Sequence, residues 1–251
     1  YLPEHDLRPD PARPTYEIYW EEEMEFCVPT LPPAPLQEAL SPAAVVRAAE
    51  RVRSEMLEIT RLREFVDATL PIPAPYGGEG EVRLIIVGQD PTVMDPDKRA
   101  QITTALNLNV RGSLLAYLAH VCTGLGLDIR RDVYATNLCK CFFVRPPTQI
   151  AEVDVLSESL ELWLPLFVQE LAQYSHAPVL TLGEPLLARL ALGDASPKVR
   201  DYWGYTPHWR AGEQGAYGAL APERNRLGRA VYPFPHQPSL RRLFYRTHLD
   251  R

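Results

Sequence analysis

The fold is decided by residues 82–92, which read Val-Arg-Leu-Ile-Ile-Val-Gly-Gln-Asp-Pro-Thr. Residues 84–87 form an unbroken apolar run rich in β-branched side chains, which is typical of a strand buried on both faces of a parallel sheet. Gly88 stops the strand, and a proline rigidifies the turn that follows. Gln89 and Asp90 therefore lie at the carboxyl end of a core strand, where open α/β sheets bind ligands. The alternative is a strand followed by an ordinary polar turn.

Short apolar runs recur three more times downstream. They predict strands at 132–138, 178–182 and 230–234, and helical patterns lie between them. Strands that alternate with helices indicate a doubly wound parallel sheet with helices on both faces. We therefore predict an α/β fold of three αβα layers around a short, central, four-stranded parallel sheet. In that geometry Asp90, Asn137 and His236 converge at one edge of the sheet, because each follows a strand.

The first 80 residues do not follow this alternation. Residues 1–35 are punctuated by prolines and are typical of an extended arm. A helix is then predicted with Ser41 as its N-cap and Pro42 as its first residue. Apolar residues at three- and four-residue spacing continue its buried face as far as Val66. We divide the chain into an N-terminal arm and helix packed on the core (1–80) and a second domain (81–251).

The connections between the later elements give three further predictions. Residues 94–111 are too polar and irregular for a regular element and predict a long loop. Ser113 is predicted to cap a helix that runs to about Leu125. Ser239 is predicted to open the final helix.

Charge is unevenly distributed along this chain of 251 residues with a net charge of −6. The first 70 residues hold 14 acidic and 7 basic side chains, whereas residues 222–251 hold seven arginines against two acidic residues. A locally basic segment is able to contact DNA phosphates despite the negative total. The alternative is a solvated helix face with scattered arginines. No apolar run is long enough to cross a bilayer, so we expect no membrane partner and a cytoplasmic location.

Three short motifs together resemble the uracil-DNA glycosylase superfamily. Residues 88–91, Gly-Gln-Asp-Pro, resemble its water-activating motif in the family-1 form. Residues 134–141, Tyr-Ala-Thr-Asn-Leu-Cys-Lys-Cys, followed by Arg-Pro-Pro, resemble a block of the family-4 branch. Residues 236–239, His-Gln-Pro-Ser, resemble the His-Pro-Ser motif that clamps DNA, with one extra residue. Each motif is weak alone, but all three occur in the right order at strand ends.

The resemblance implies a DNA glycosylase that extrudes a nucleotide and hydrolyses its N-glycosidic bond. Asp90 would orient the attacking water and stabilise the oxocarbenium-like sugar, as carboxylates do in glycoside hydrolysis. His236 would donate a hydrogen bond to the base carbonyl that gains charge. Asn137 offers a carbonyl acceptor and an amide donor, which suits the edge of a uracil-like base. The resemblance therefore implies that residues 81–251 form the catalytic domain and that the reaction uses neither a metal nor a cofactor.

The expected base pocket departs from the family-1 pattern. Gln89 and Thr92 are expected to line it, but family-1 enzymes place a tyrosine at the Thr92 position to exclude a 5-methyl group. The aromatic residue that stacks on the flipped base aligns with Leu108, which has no aromatic ring. Both changes predict a larger or softer pocket. A glycosylase for a bulkier modified base, for example in foreign DNA, is therefore an alternative to a uracil enzyme.

The DNA-binding surface is expected to involve one residue near the pocket and four in the clamp, namely Ser113, Pro238, Ser239, Leu240 and Arg241. The residue that wedges into the duplex is either Leu240 or Arg241. A buried helix position for Leu240 is an equal alternative, because it lies in phase with the apolar residues that follow. We expect a monomer that binds DNA and associates with the nucleoid. The alternative from another functional class is a relative of these glycosylases that binds DNA without catalysing a reaction.

The cysteines do not match an iron–sulfur enzyme. Family-4 members carry a cluster on four cysteines, and only Cys141 stands at a ligand position; another ligand position holds Trp163, and Cys27 stands alone. A cluster requires its complete set of thiolates. Cys139 and Cys141 alternate along a strand end, so only one of them is expected to point inward. We predict reduced, structural thiols, no cluster and a colourless protein.

Overall fold

The computed structural model describes residues 40–77, 79–193, 197–203 and 217–237. All of these residues belong to one compact unit that begins at Glu38. The expected arm at 1–35, the expected final helix and the clamp residues Pro238, Ser239, Leu240 and Arg241 lie outside the described residues.

The described residues contain seven strands and six α-helices. The strands are β1 (Val66–Asp67), β2 (Tyr76–Gly77), β3 (Leu84–Gly88), β4 (Val133–Asn137), β5 (Phe142–Phe143), β6 (Val179–Leu182) and β7 (Val231–Phe234). The helices are α1 (Pro42–Glu58), α2 (Pro96–Arg99), α3 (Ser113–Gly124), α4 (Val155–Ala172), α5 (Glu184–Leu190) and α6 (Val199–Tyr202). In that part of the chain no helix has both the length and the apolar character needed to cross a membrane.

The central sheet has the strand order β2-β4-β3-β6-β7. Its last four strands in this order, β4, β3, β6 and β7, are parallel, and they are the four strands that the apolar runs predict. The α/β class is therefore confirmed, but the predicted count of four is wrong by one. The fifth strand, β2, is a two-residue edge strand antiparallel to β4. A strand this short has no detectable period, and it follows a proline-rich segment.

Strand β3 lies at the centre of the sheet and faces apolar layers on both sides. All five of its residues are buried. Ile85 and Val87 pack in one apolar cluster with residues of α1, α4 and α5. Leu84 and Ile86 pack in a second cluster with residues of α3. The two clusters are the reason for the three-layer arrangement, because successive side chains of a strand point to opposite faces.

Helix α1 begins as predicted and ends earlier than predicted. Ser41 is its N-cap and accepts a hydrogen bond from the backbone N–H of Ala44. The helix ends at Glu58, and Ile59 has an extended backbone. Val66 lies instead in β1, where it pairs with Phe143. The apolar spacing continues because the turns after the helix also bury side chains, so periodicity alone overestimated the helix.

Two connections differ from their predictions. The segment predicted as a loop contains α2, which Asp95 caps by accepting hydrogen bonds from two backbone N–H groups. It also contains a 3₁₀ turn at Ala105–Asn107. Ser113 is the first residue of α3 rather than its cap; Gly112 holds the cap position with no side-chain hydrogen bond. The helix nevertheless ends at Gly124, close to the expected position.

Cys139 and Cys141 are both fully buried, so the expectation that only one points inward is wrong. They follow the end of β4, where the chain leaves the strand and no longer alternates between two faces. Burial raises the pKa of Cys139 to about 12 and the pKa of Cys141 well above its usual value. Burial therefore favours the neutral thiol form of both side chains.

Met56 occupies the space between the two positions that resemble cluster ligands. Its Sδ lies 4.0 Å from Sγ of Cys141 and 3.2 Å from Nε1 of Trp163. All three side chains are fully buried. Among the described residues no group of three or more His, Cys, Asp or Glu side chains is placed to hold a metal ion.

Candidate active site

A cavity of about 710 Å³ opens at the carboxyl ends of β3 and β6. The described part of its wall comes from residues 88–94, 106–107, 146–149, 182–185 and 235–236, together with Leu114 and Val199. Its size falls within the range of sites that bind small molecules. It is therefore large enough to accept a nucleobase, and it lies at the sheet edge where parallel α/β folds bind ligands.

Asp90 lies in this cavity with both carboxylate oxygens held in place. Its Oδ1 accepts the backbone N–H of Thr92 at 2.8 Å, and its Oδ2 accepts the side-chain amide of Gln89 at 2.7 Å. Burial raises the pKa of Asp90, although hydrogen bonds from Thr92 and Gln89 and the positive charge of Arg99 act in the opposite direction. The carboxylate is thus oriented, partly desolvated and open to the cavity.

Thr92 and Gln89 line the cavity, as expected, and each also has a structural task. The hydroxyl of Thr92 accepts the backbone N–H of Phe143 at 2.9 Å, which ties the turn after β3 to strand β5. Gln89 uses its amide N–H on Asp90, which leaves its carbonyl oxygen for other partners.

Arg99 reinforces the connection between the Asp90 turn and β5. Its buried guanidinium donates to the carbonyl of Val93 and to the carbonyls of Phe143 and Val144 at 2.9 and 3.0 Å. A guanidinium presents five donors in a rigid fork, so it is able to bridge two segments at once. The loop that follows Asp90 is therefore fixed at both ends.

Asn137 ends β4 beside Gly88, the residue that ends β3. It is buried, and its Oδ1 has no hydrogen-bond partner among the described residues. A Cβ at Gly88 would lie 2.8 Å from this oxygen and 2.2 Å from Cδ2 of Leu106. Asn137 itself does not line the main cavity, but it lies directly behind Gly88, which does. A side chain at position 88 would therefore displace the ends of Leu106 and Asn137.

A buried ion pair lies behind Asn137. Lys140 Nζ donates to Oγ1 of Thr136 at 2.8 Å, to the backbone carbonyl of Asn137 at 2.9 Å and to Glu170 at 2.5 Å. The other oxygen of Glu170 accepts the hydroxyl of Tyr134 at 2.7 Å. Lys140 therefore uses all three of its donors. This network, which the sequence analysis missed, holds the backbone of Asn137 from the helix side.

His236 also lines the cavity, two residues after the end of β7. It is at an exposed rim, and partial burial lowers its pKa, which favours a neutral imidazole at pH 7. Gly183 passes close to it with φ of +89°, and a Cβ there would lie 3.3 Å from Cβ of His236. The left-handed glycine lets β6 turn into α5 next to the histidine.

Of the two leucines in the segment that follows α2, Leu106 lines the cavity and Leu108 does not. Leu106 lines the cavity, whereas Leu108 packs into the apolar cluster beside α3 and is not part of the described wall. Both leucines pack in that cluster, but only Leu106 is also part of the described cavity wall. The base-stacking role of Leu108 stays a prediction.

Three further polar residues at or next to the cavity are Ser113, Asn107 and Glu184. Ser113 is exposed and precedes Leu114, which lines the cavity. Asn107 and Glu184 line it directly, and the sequence analysis singled out neither. A polar residue that follows a strand, as Glu184 does after β6, was the one available signal.

A mostly parallel α/β sheet with polar groups gathered at the carboxyl ends of its strands defines a ligand-binding α/β domain. Residues 74–246 match the family model of the Uracil DNA glycosylase superfamily, which is more than half of the chain. The protein belongs to this superfamily, as the three motifs predict. Its members act on DNA and are in general hydrolytic DNA glycosylases. No curated protein gave a match.

Proposed function

We propose that this protein is a monofunctional DNA glycosylase that hydrolyses the N-glycosidic bond of uracil or a related pyrimidine flipped out of DNA. The observation that carries the proposal is the arrangement of Asp90, whose carboxylate is held by Thr92 and Gln89 in a cavity that His236 also lines. We propose further that it acts as a monomer, with residues 81–251 as the catalytic domain and residues 1–80 as an addition to it.

In the proposed reaction Asp90 acts on the sugar and on water. The carboxylate accepts a hydrogen bond from a water molecule and faces the positive charge that develops on the sugar ring. The water oxygen bonds to C1′ while the bond from C1′ to the base nitrogen breaks, and the electron pair of that bond leaves with the base. A proton of the water passes to the carboxylate and is then available to the departing base. The products are an abasic site and a free base.

His236 and Asn137 act on the base in this proposal. A neutral imidazole donates an N–H to a carbonyl oxygen of the base as negative charge develops there. The lowered pKa of His236 supports this role, because the donor is then present without a positive charge to attract phosphates into the pocket. Asn137, fixed at its backbone by Lys140, would read the base edge.

Pro238, Ser239 and the exposed Ser113 are proposed to contact the DNA backbone on the basis of the resemblance. Leu240 or Arg241 is proposed to wedge into the duplex, with a buried helix position as the alternative for Leu240. The arginines of residues 222–251 supply positive charge for this contact. Association with the nucleoid in the cytoplasm would follow from DNA binding.

A second candidate is a glycosylase for a bulkier pyrimidine. Thr92 stands where family-1 enzymes have a tyrosine, and it lines a cavity of about 710 Å³. Neither Leu106 nor Thr92 has the ring that would press on a 5-substituent. The cavity thus supports tolerance of groups at C5.

The deciding experiment measures abasic-site formation in single- and double-stranded oligonucleotides that carry uracil, thymine or 5-hydroxymethyluracil. We expect excision of uracil and of at least one 5-substituted base by the wild type. Excision of uracil alone would exclude the bulkier substrates, and DNA binding with no excision of any base would indicate a non-catalytic relative.

A further inference from the structure

The cavity wall contains two consecutive residues with left-handed backbones. Leu106 has φ of 55° and Asn107 has φ of 58°, and no other non-glycine residue in the described part of the chain has a positive φ. Asparagine tolerates this conformation, whereas leucine rarely adopts it. Backbone strain of this kind persists only where the surrounding structure imposes it, and it concentrates at functional sites.

Packing explains the conformation of Leu106. Its side chain covers Gly88 so closely that a Cβ there would lie 2.2 Å away, and it belongs to the apolar cluster beside α3. The left-handed turn therefore places Leu106 against the strand end and presents Asn107 to the cavity.

The contrast with Asn109, two residues further on, shows what is unusual about Asn107. Oδ1 of Asn109 accepts the backbone N–H groups of Thr103 and Thr104, both at 3.2 Å, and its Nδ2 donates to Gln101 at 2.8 Å. The side chain of Asn109 thus stabilises the loop. Oδ1 of Asn107 is buried and has no hydrogen-bond partner among the described residues.

A buried carbonyl oxygen without a partner carries a free-energy penalty, and folded proteins retain few of them. The loop is already held by Asn109, so the side chain of Asn107 is not needed for that purpose. Asn107 lines the cavity, and rotation of its side chain would turn the carboxamide oxygen from its buried position toward a ligand that brings a donor. Asn107 is therefore placed to receive one.

We propose that Asn107 is a base-binding residue that accepts a hydrogen bond from an N–H or O–H donor on the flipped base. The inference rests on the proposed function and deepens it. Asn137 is proposed to read one edge of the base, and Asn107 would add a second contact from the wall on which Leu106 lies. A pyrimidine that presents a donor to this wall would be favoured over one that presents only a carbonyl or a methyl group.

The test uses binding rather than turnover, so that it does not depend on the chemical step. One duplex carries a 2′-fluorinated 5-hydroxymethyl-deoxyuridine, whose glycosidic bond resists hydrolysis and whose hydroxyl is a donor additional to the single N–H that Asn137 would read, and the matched duplex carries an abasic-site analogue. Asn107→Gly removes the carboxamide and still permits the left-handed backbone. We expect its affinity for the base-bearing duplex to fall about five- to tenfold, the usual effect of one hydrogen bond, with unchanged affinity for the abasic duplex.

Two further variants separate base contact from a structural role. Asn107→Asp keeps the tolerance for a left-handed backbone and keeps an acceptor, so it should bind the base-bearing duplex more tightly than Asn107→Gly does. Asn109→Gly should instead lower the thermal midpoint and weaken binding to both duplexes. Equal affinity of wild type and Asn107→Gly for the base-bearing duplex would overturn the proposal, as would an equal loss on both duplexes. A wild type that excises no base would reject the proposed activity while leaving this comparison measurable.

Discussion

The two sides of the end of β4 treat polar groups in opposite ways. On the side of α4, Lys140 uses all three donors and Glu170 uses both oxygens within a fully buried network. On the side of Gly88 and Leu106, the side-chain oxygens of Asn137 and Asn107 are buried without partners in the described structure. Asn137 belongs to both sides, because Lys140 binds its backbone carbonyl while its side-chain oxygen stays unpartnered.

The two sides of the end of β4 contribute differently to the site. The Lys140–Glu170 ion pair is fully hydrogen-bonded, so this part of the fold is able to satisfy buried polar groups. The unpartnered oxygens of Asn137 and Asn107 are therefore a specific feature of the site. Complete pairing on one side stabilises the strand end, since removing either Lys140 or Glu170 leaves a buried charge uncompensated. Incomplete pairing on the other side leaves acceptors free for a ligand, and Asp90 is oriented there by Gln89 and Thr92.

The largest expected effect is the loss of turnover in Asp90→Asn. We expect the rate of base excision to fall by about 10²–10⁴-fold or more, with DNA affinity nearly unchanged, because the carboxylate acts on the water and sugar. Single-turnover excision and DNA binding are the two measurements. Undiminished single-turnover excision would remove Asp90 from the mechanism.

The pH dependence provides a check on the same residue. Asp90 must be ionised to act, and burial raises its pKa above the ordinary value of about 3.9. Activity should therefore be lost as the pH falls through this raised pKa, at a higher pH than for an exposed aspartate. An acid limit that persists in the residual activity of Asp90→Asn would assign it to another group.

The next effect concerns the paired side of β4. Lys140→Met leaves Glu170 charged and buried with only the Tyr134 hydroxyl, so we expect a loss of about 3–5 kcal/mol in the free energy of unfolding, measured in urea. The double variant Lys140→Met/Glu170→Gln removes both charges and should recover part of this loss. If the double variant is as unstable as the single one, the cost arises from packing and not from an unpaired charge.

His236→Ala is expected to slow base release by about 10²–10³-fold, the usual cost of removing a donor aimed at a developing charge. His236→Gln retains an N–H donor and should lose less. Pre-steady-state excision measures both variants, and the thermal midpoint is the control. Wild-type rates in His236→Ala would restrict this residue to shaping the clamp loop.

The smallest effect concerns discrimination at C5. Thr92→Tyr places a ring in the cavity and should lower excision of 5-substituted uracils more than excision of uracil. Thr92→Val is the matched control, because it also loses the hydroxyl that accepts the N–H of Phe143 but keeps the volume of threonine. The ratio of kcat/KM for the two bases is the measurement. A wild type that already rejects 5-substituted bases contradicts the open-pocket interpretation.

The α/β class, the four parallel strands and the position of Asp90 at the end of β3 could all be predicted from the sequence. These features depend on short apolar runs and on the residues that stop them, which are local properties. The superfamily could also be predicted, because its motifs lie at strand ends in a fixed order. Asp90 and His236 were expected to meet at one edge, and they line the same cavity.

The side chains that line or support the cavity are set by contacts between distant segments, which the sequence pattern does not show. Lys140 and Glu170 are 30 residues apart, and no local pattern pairs them. Leu106 lines the cavity in a left-handed turn that propensity does not predict for leucine. Edge strand β2 and the burial of both cysteines likewise arise from contacts between distant segments. Apolar periodicity reports burial, but the direction of a side chain beyond a strand end depends on what packs against it.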